Sequence, residues 1–464
     1  MTDGFTNTGL AERGDPWAEQ DPPGDSMLPG LLPEEFWKAR PVFEHIRQAA
    51  HSQACSGDVL FWTCMARMSG MISHQIRAVT GIGGRASLNV FAAVVGVSGA
   101  GKSTGAALAR KLMPSPHEDF LDGLPVGTGE GIAEAFMGTV DEETDEVYTK
   151  GPNRGEPVMA RIRKQVRHNI YFYVDEGQTI AQLASRPGST LSETIRRAAI
   201  GEALGQTNAS EDRRRFIAPE SYSLGLLAGF QPSTAVPLLA DASTGTPQRF
   251  FWSWAQDPAI PDEAPEWPNA FTFDGHLAAL RPDSQIDIGF PKRVRDELWR
   301  ERRARNRGEL EVSELDGHAG LMKVKLAALF AVLDNRSDAS EEDWDLAELL
   351  WEASCTVRDS LVARARREVE AARRIEEEAV VQLAVRTHEA TSSADAALER
   401  IARLVRKHAA KNVGGITWGG MRKALESKDR ALLDKAVGLA VSKGWVLEDG
   451  DRVCIATEEV EAWR

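Results

Sequence analysis

Apolar positions change their period several times along the chain, and the changes divide it. From Glu34 to about Val79 they recur at helical spacing (Phe43, Ile46, Ala50, then Val59, Trp62, Met65, Met68), until Gly81–Gly84 breaks the pattern. From Asn89 to about Trp254, short strand-like runs alternate with helical stretches: Val90–Val95, Ile170–Val174, Ser223–Ala228 and Phe250–Trp252. Strands alternating with helices predict a mostly parallel sheet covered on both faces. Pro258, Pro261, Pro265 and Pro268 close that region, because proline supplies no ladder donor and breaks helices. Beyond them, to about Val385, the spacing is helical again. Leu321, Val324, Ala328 and Phe330 share a face, and Ser340-Glu341-Glu342 reads as a helix start. The charged run Arg364–Glu378 reads first as a solvated helix face, and Thr387–Ala394 as a polar linker.

The two ends differ. Residues 1–33 combine Pro, Gly, Asp and Glu with few large apolar residues, which predicts a disordered tail. The last segment reads as helix Leu398–Ala409, a Gly414-Gly415 turn, helices Trp418–Leu425 and Asp429–Ser442, and two short strands about an acidic turn. That order predicts a winged helix. The expected division is a tail (1–33), an N-terminal helical domain (34–88), an α/β core (89–257), a helical lid with a long charged helix (258–386), a linker (387–396) and the winged helix (397–464).

Composition narrows the class. The 464 residues are 42% hydrophobic and 27% charged, a globular balance. No run of about 18 apolar residues occurs, and the N-terminus lacks a basic, then apolar, leader, so neither a membrane span nor a secretory signal is expected. Cys55, Cys64, Cys355 and Cys454 are scattered, which predicts a cytoplasmic protein without a disulfide framework or structural zinc. A formal charge of −14 excludes a polycation, so any nucleic-acid contact must come from a local basic surface.

Candidate chemistry begins at Gly96-Val97-Ser98-Gly99-Ala100-Gly101-Lys102-Ser103, which fits the phosphate-loop pattern GxxxxGK[ST] between a predicted strand and a helix that continues through Thr104. Glycines let successive N–H groups turn around phosphate oxygens, and the helix N-terminus adds its positive end. Lys102 then reaches the outer phosphates of ATP and Ser103 ligates Mg²⁺. Tyr171–Val174 is a hydrophobic strand ending in Asp175 and Glu176, suited to hold the metal through water and to take a proton from the attacking water. The next strand ends near Gln231, whose amide suits the attacking water or the terminal phosphate. Arg249, far along the chain at the start of another strand, suits an arginine finger acting on a neighbouring subunit.

That order of elements resembles the helicase clade of AAA+ ATPases, which includes the minichromosome maintenance and superfamily 3 helicases. Through LGLLAGFQPSTAVPLL…GTPQRFFWSW and GHAGLMKVKLAALFAVLDNRSDASEEDWDLAELL it is more similar to the primase-associated helicase-like ATPases of phages and integrated mobile elements, over about Phe36–Leu361. The resemblance implies a homo-hexameric ring with nucleotide sites shared between subunits and DNA in its pore. It further implies a sensor-2 residue on the lid, for which Lys323 and Lys325 are the candidates. In minichromosome-type helicases the interval before the sensor strand holds a basic pore hairpin; here that place is taken by Arg213, Arg214 and Arg215. In the winged helix, basic against the overall charge, Lys428, Arg430 and Lys435 are the expected duplex contacts, with protein docking as the alternative. The expected activity is an ATP-dependent DNA helicase or translocase in phage or mobile-element replication, with a primase or another replication protein as the partner class to expect. The alternatives are an ATP-switched replication initiator or loader, and a non-catalytic DNA-binding or docking scaffold.

Overall fold

The computed structural model of the chain describes residues 28–115, 119–206, 215–240, 245–271 and 284–456. Two compact units divide at Ala365 and Arg366. The first opens with α1 (Glu34–Ala39), α2 (Pro41–His51) and α3 (Gly57–Met71), then β1 (Ile76–Ala78), β2 (Phe91–Val95) and α4 (Lys102–Leu112). Next come β3 (Leu121–Leu124), α5 (Gly129–Glu134), β4 (Met137–Val147), β5 (Pro157–Gln165), β6 (Asn169–Val174), α6 (Gln178–Ala184) and α7 (Leu191–Ile200). Strands β7 (Leu204–Gln206), β8 (Arg215–Ile217) and β9 (Ser223–Phe230) precede α8 (Pro232–Ala240), β10 (Phe250–Trp254) and β11 (Ile286–Ile288). Helices α9 (Lys292–Asn306), α10 (Ala319–Leu333) and α11 (Glu341–Ala410) follow, the last extending into the second unit.

Five strands form one sheet in the order β10-β2-β9-β6-β3, and every pair is parallel. Strands β2, β9 and β10 are buried along their whole length, as continuous apolar runs in a sheet covered on both faces must be. This is the expected mixed α/β core.

One cover is α3, all of whose residues are buried. Its approach to the sheet is close enough that a Cβ on Gly225 would lie 1.8 Å from the Ala66 carbonyl oxygen, and one on Gly70 would lie 2.4 Å from that of Ile170. Trp62 stacks on Phe251 with ring centroids 4.6 Å apart. Arg67, 2% exposed, donates to Asp122 of β3 (Nη2–Oδ2 2.8 Å) and to the Met113 carbonyl at the end of α4. The helices before Gly81 thus share one hydrophobic core with the sheet, whereas helical spacing alone suggested a separate N-terminal domain. The same periodicity serves a helix lying on a sheet and a helix in a bundle.

Residues 1–27 of the expected tail lie outside the described residues. Its last part is packed: Leu32 is buried and its N–H donates to Asp58 Oδ2 (3.1 Å), while Trp254 Nε1 donates to the Pro29 carbonyl (2.8 Å). Leu28, Leu31 and Leu32 supply the apolar area that offsets their ordering.

Two antiparallel hairpins, β4–β5 and β7–β8, are inserted in the α/β order. The start of α11 is a reciprocal cap, with Asp343 N donating to Ser340 Oγ (3.1 Å) and Ser340 N to Asp343 Oδ2 (2.6 Å). Helix α11 also runs through 387–396, where a linker was expected. Alanines favour helix there, and the Thr387 and Thr391 hydroxyls donate to the carbonyls one turn back, so neither competes for a cap.

The second unit contains the end of α11, β12 (Ile416–Thr417), α12 (Trp418–Ala424), α13 (Leu433–Ser442), β13 (Val446–Asp449) and β14 (Arg452–Ile455). The three strands form an antiparallel sheet ordered β12-β14-β13, and Ile401, Val405, Met421, Leu433, Val437 and Val453 fill the core. The last helix begins at Leu433, after a 3₁₀ turn at Arg430–Leu432, rather than at Asp429.

Two outcomes follow from the α3 contact. Gly225→Ala places a methyl against backbone that cannot yield, and is expected to lower stability in urea unfolding by about 3 kcal/mol, the upper part of the overpacking range. Burial, with Asp257 nearby, pushes the Asp58 carboxyl up to about 8, against the donation from Leu32. Between roughly pH 4 and pH 8 the folded chain therefore holds a proton that the unfolded chain has lost, so this group makes stability fall as pH rises through that window. Thermal melts across the window should show Asp58→Asn flattening the decline.

Candidate active site

The loop after β2 is shaped by close approaches. Gly96 N donates to the Phe230 carbonyl (2.9 Å), and a Cβ on Gly96 would lie 2.5 Å from the Ala255 methyl. Gly99 and Gly101 sit at φ +82° and +79°, conformations that favour glycine, with open space where side chains would be. Gly101 passes directly into α4 at Lys102, and the helix first turn carries no acid to oppose an anion. Ser98, Ser103 and Thr104 are exposed, and Ala100 is half-buried. Under the loop, Cys55 donates to the Gly101 carbonyl (3.8 Å); its burial pushes the thiol up to about 12.

Sheet order assembles the rest. Strand β9 lies between β2 and β6, with Val95 opposite Phe230 and Val174 opposite Ala228, so all three strands end at one edge. The loop, the acids after β6 and Gln231 after β9 therefore meet there. Lys102 Nζ donates to the Gly96 and Val97 carbonyls, both at 2.8 Å; burial lowers its pKa, against the attraction of Asp175. A Cβ on Gly229 would stand 2.7 Å from the Asp175 carbonyl oxygen and 3.4 Å from Lys102 Cδ, so Gly229 is where these segments converge.

Asp175 and Glu176 are exposed, and Asp175 accepts from the Tyr173 hydroxyl (2.6 Å). Burial, followed by this bond, holds the phenol well above its usual range, so it stays a donor. Sequence reasoning missed Tyr173 and Gly229. The signal for Tyr173 was strand alternation, which puts positions two apart on one face. The Glu176 carbonyl accepts from Thr179 N (3.0 Å), and its carboxylate has no hydrogen bond or ion pair among the described residues. Gln231 N–H donates to Thr234 Oγ1 (2.9 Å) and its carbonyl accepts from that hydroxyl (3.1 Å), while its side-chain amide has no bond among the described residues.

Arg249 lies at the other edge of the sheet. It precedes Phe250, which is paired with Phe91 at the start of β2, about 16 Å along the strands from the loop. Its guanidinium donates to the Gly245 carbonyl, its Nε is buried without a partner, and burial with Arg196 nearby lowers it to about 10. The structure thus separates Arg249 from the Lys102 group of its own chain. On the lid, Lys323 pairs with Glu348 (2.9 Å) and Lys325 is buried against the Asn89 (2.9 Å) and Ala199 carbonyls. Both side chains are engaged away from the Lys102 loop.

Arg213 and Arg214 lie outside the described residues. Arg215 is on β8, with its guanidinium held by Glu134 (2.6 Å) rather than projecting free. In the second unit, Lys428 precedes the 3₁₀ turn and pairs with Glu426 (2.8 Å), and Arg430 lies in that turn and donates to the Leu425 carbonyl (3.2 Å). Of the three expected contacts only Lys435 is on α13, where it is exposed. Helix α13 starts only at Leu433, after its N-cap Leu432, so Lys428 and Arg430 lie before the helix on which they were expected to act.

No protein-family model matches the chain, and no curated protein does. Among solved structures it is similar to a full-length MCM homolog from Methanopyrus kandleri, at 13% identity and a TM-score of 0.36, over 69% of this chain. The match spans 60% of that protein's length.

Gly229→Ala is the direct test of this convergence. The added methyl forces the Asp175 and Lys102 segments apart, and is expected to weaken ATP binding measured by calorimetry while lowering stability by about 1–3 kcal/mol.

Proposed function

We propose that the chain is a Mg²⁺-dependent ATP hydrolase that drives movement or unwinding of DNA. The observation that carries this reading is the position of β9 between β2 and β6, which gathers the Lys102 loop, Asp175, Glu176 and Gln231 at one edge. The donor set suits a nucleotide: a glycine loop open to approach, a helix N-terminus, an ammonium whose present partners are only loop carbonyls, an exposed hydroxyl and an exposed carboxylate. Bound Mg²⁺ would offset phosphate charge. Gly96, Ser98, Gly99, Ala100, Gly101 and Thr104 form the loop that would hold the phosphates, Lys102 would exchange its carbonyls for phosphate oxygens, and Ser103 and Asp175 would hold the metal. Tyr173 keeps Asp175 oriented through its hydroxyl bond. Glu176, without a competing partner, takes the proton from water, and Gln231 orients that water through its free amide.

Arg249 cannot serve its own loop from the opposite edge, which favours action on a second copy and hence a ring, with six subunits as the resemblance implies. The three-stranded sheet and helices after 397 support a winged helix, with Lys435 as its exposed helical cation. The β7–β8 hairpin occupies the interval expected for a pore contact. The sequence resemblance extends the proposal to the replication of a phage or mobile element, alongside a primase.

Lys102→Ala is expected to abolish ATP binding, and Glu176→Gln to bind ATP without turning it over. Arg249→Ala should leave ATP affinity nearly intact and cut turnover by a factor on the order of 10³. Mixing Arg249→Ala with Glu176→Gln should restore part of the activity, since some shared interfaces carry both groups. The reading fails if Glu176→Gln turns over like wild type, or if forked DNA is neither displaced nor able to stimulate hydrolysis.

A further inference from the structure

Helix α9 carries positive charge in a chain of net charge −14. Its inner face buries Val294 and Leu298, and its outer face presents Trp299, which is 58% exposed. Arg302 and Arg303 follow at the third and fourth positions, the spacing that places side chains on one helix face. Neither arginine forms an ion pair among the described residues.

Beside this face runs the loop at residues 81–83. Gly81 and Gly83 have φ of +78° and +75°, and nothing lies within 4 Å of a Cβ on Gly81. Between loop and helix is a groove of about 360 Å³ lined by Gly81, Ile82, Trp299, Arg302, Arg303 and Arg307, among other residues, with no carboxylate in its lining. Ile82, Gly83, Arg302 and Asn306 also line an adjoining cavity of about 580 Å³. In that cavity's wall Arg77 is 1% exposed and its Nη2 has no hydrogen-bond partner. The cavity's acids are partly engaged, Glu220 by Arg85 and Glu301 by Arg305.

An exposed indole, two arginines without ion pairs among the described residues, a third (Arg307) held only by Glu309 at 3.6 Å, and a loop whose Gly81 leaves open space meet the needs of a base and its phosphates. Every base offers a π-face for stacking, and every nucleotide offers a phosphate to a guanidinium. We propose that the outer face of α9 and the 81–83 loop hold single-stranded nucleic acid, with a base stacked on Trp299 and phosphates on Arg302, Arg303 and Arg307. The inference rests on the DNA reading above only for the choice of polymer.

The test is fluorescence anisotropy of a labelled oligothymidylate titrated with the full chain. Trp299→Ala is expected to weaken binding by about tenfold, within the range for loss of one stacked base, whereas Trp299→Phe keeps most of it. Replacing Arg302 and Arg303 with Glu should weaken binding and reduce the salt slope by about 1.4, two single-strand phosphate contacts. These side chains are exposed, so melting temperature and DNA-free ATPase should stay unchanged. Lys102→Ala should retain the Trp299-dependent binding, which separates this proposal from the motor reading. Wild-type affinity in both Trp299→Ala and the double charge reversal overturns it. So does an affinity loss equal for duplex and single strand in Trp299→Ala, or failure of the wild-type chain to bind the oligonucleotide.

Discussion

The contact between α3 and β9 is the constraint on which the first unit depends. A helix buried on all sides can lie this close to a strand only where one partner has no side chain, and Gly225 and Gly70 provide that at two places. Once there, α3 positions three other elements. Val59 fits against Gly105 of α4, where any Cβ would be 2.4 Å from the valine methyl, and Trp62 stacks on β10. Arg67 ties the end of α4 to Asp122 of β3. A buried guanidinium is costly unless its donors are used, and Arg67 uses them on a carboxylate and a carbonyl. The Lys102 loop therefore inherits its placement from a helix some thirty residues upstream.

The candidate site shows how topology supplies what local motifs lack. The Lys102 loop and the acids after β6 belong to strands that are not neighbours, because β9 separates them. That separation creates the edge at which Gly229 touches both segments and at which Gln231 emerges. Tyr173 keeps Asp175 occupied by a donor that burial prevents from ionising.

Positive charge collects at the opposite edge of the sheet. Arg249 and Lys325 repel one another there, and both are held by backbone carbonyls. Burial and these neighbours bring Lys325 down to about 7 and His318 down to about 4. Near neutral pH His318 is therefore uncharged and Lys325 only partly charged, which leaves Arg249 as the lasting positive charge of this group.

The sequence by itself determined the alternating elements, the phosphate-loop motif, the paired acids and the compact helical C-terminal unit. These features are local: glycine spacing, apolar period and capping residues act within a few positions of themselves. It did not reveal the β4–β5 hairpin, because neither face of that arm is buried and no apolar alternation marks it. It also read the 387–396 stretch as a linker, since polar composition describes an exposed helix as well as a loop. Only the tertiary structure decided that α3 belongs to the sheet, that β9 divides β2 from β6, that Arg249 stands away from the Lys102 loop of its own chain, and that Arg215 is paired with Glu134. Those outcomes depend on which surfaces meet across more than a hundred residues, through backbone approaches and ion pairs that no local spacing encodes.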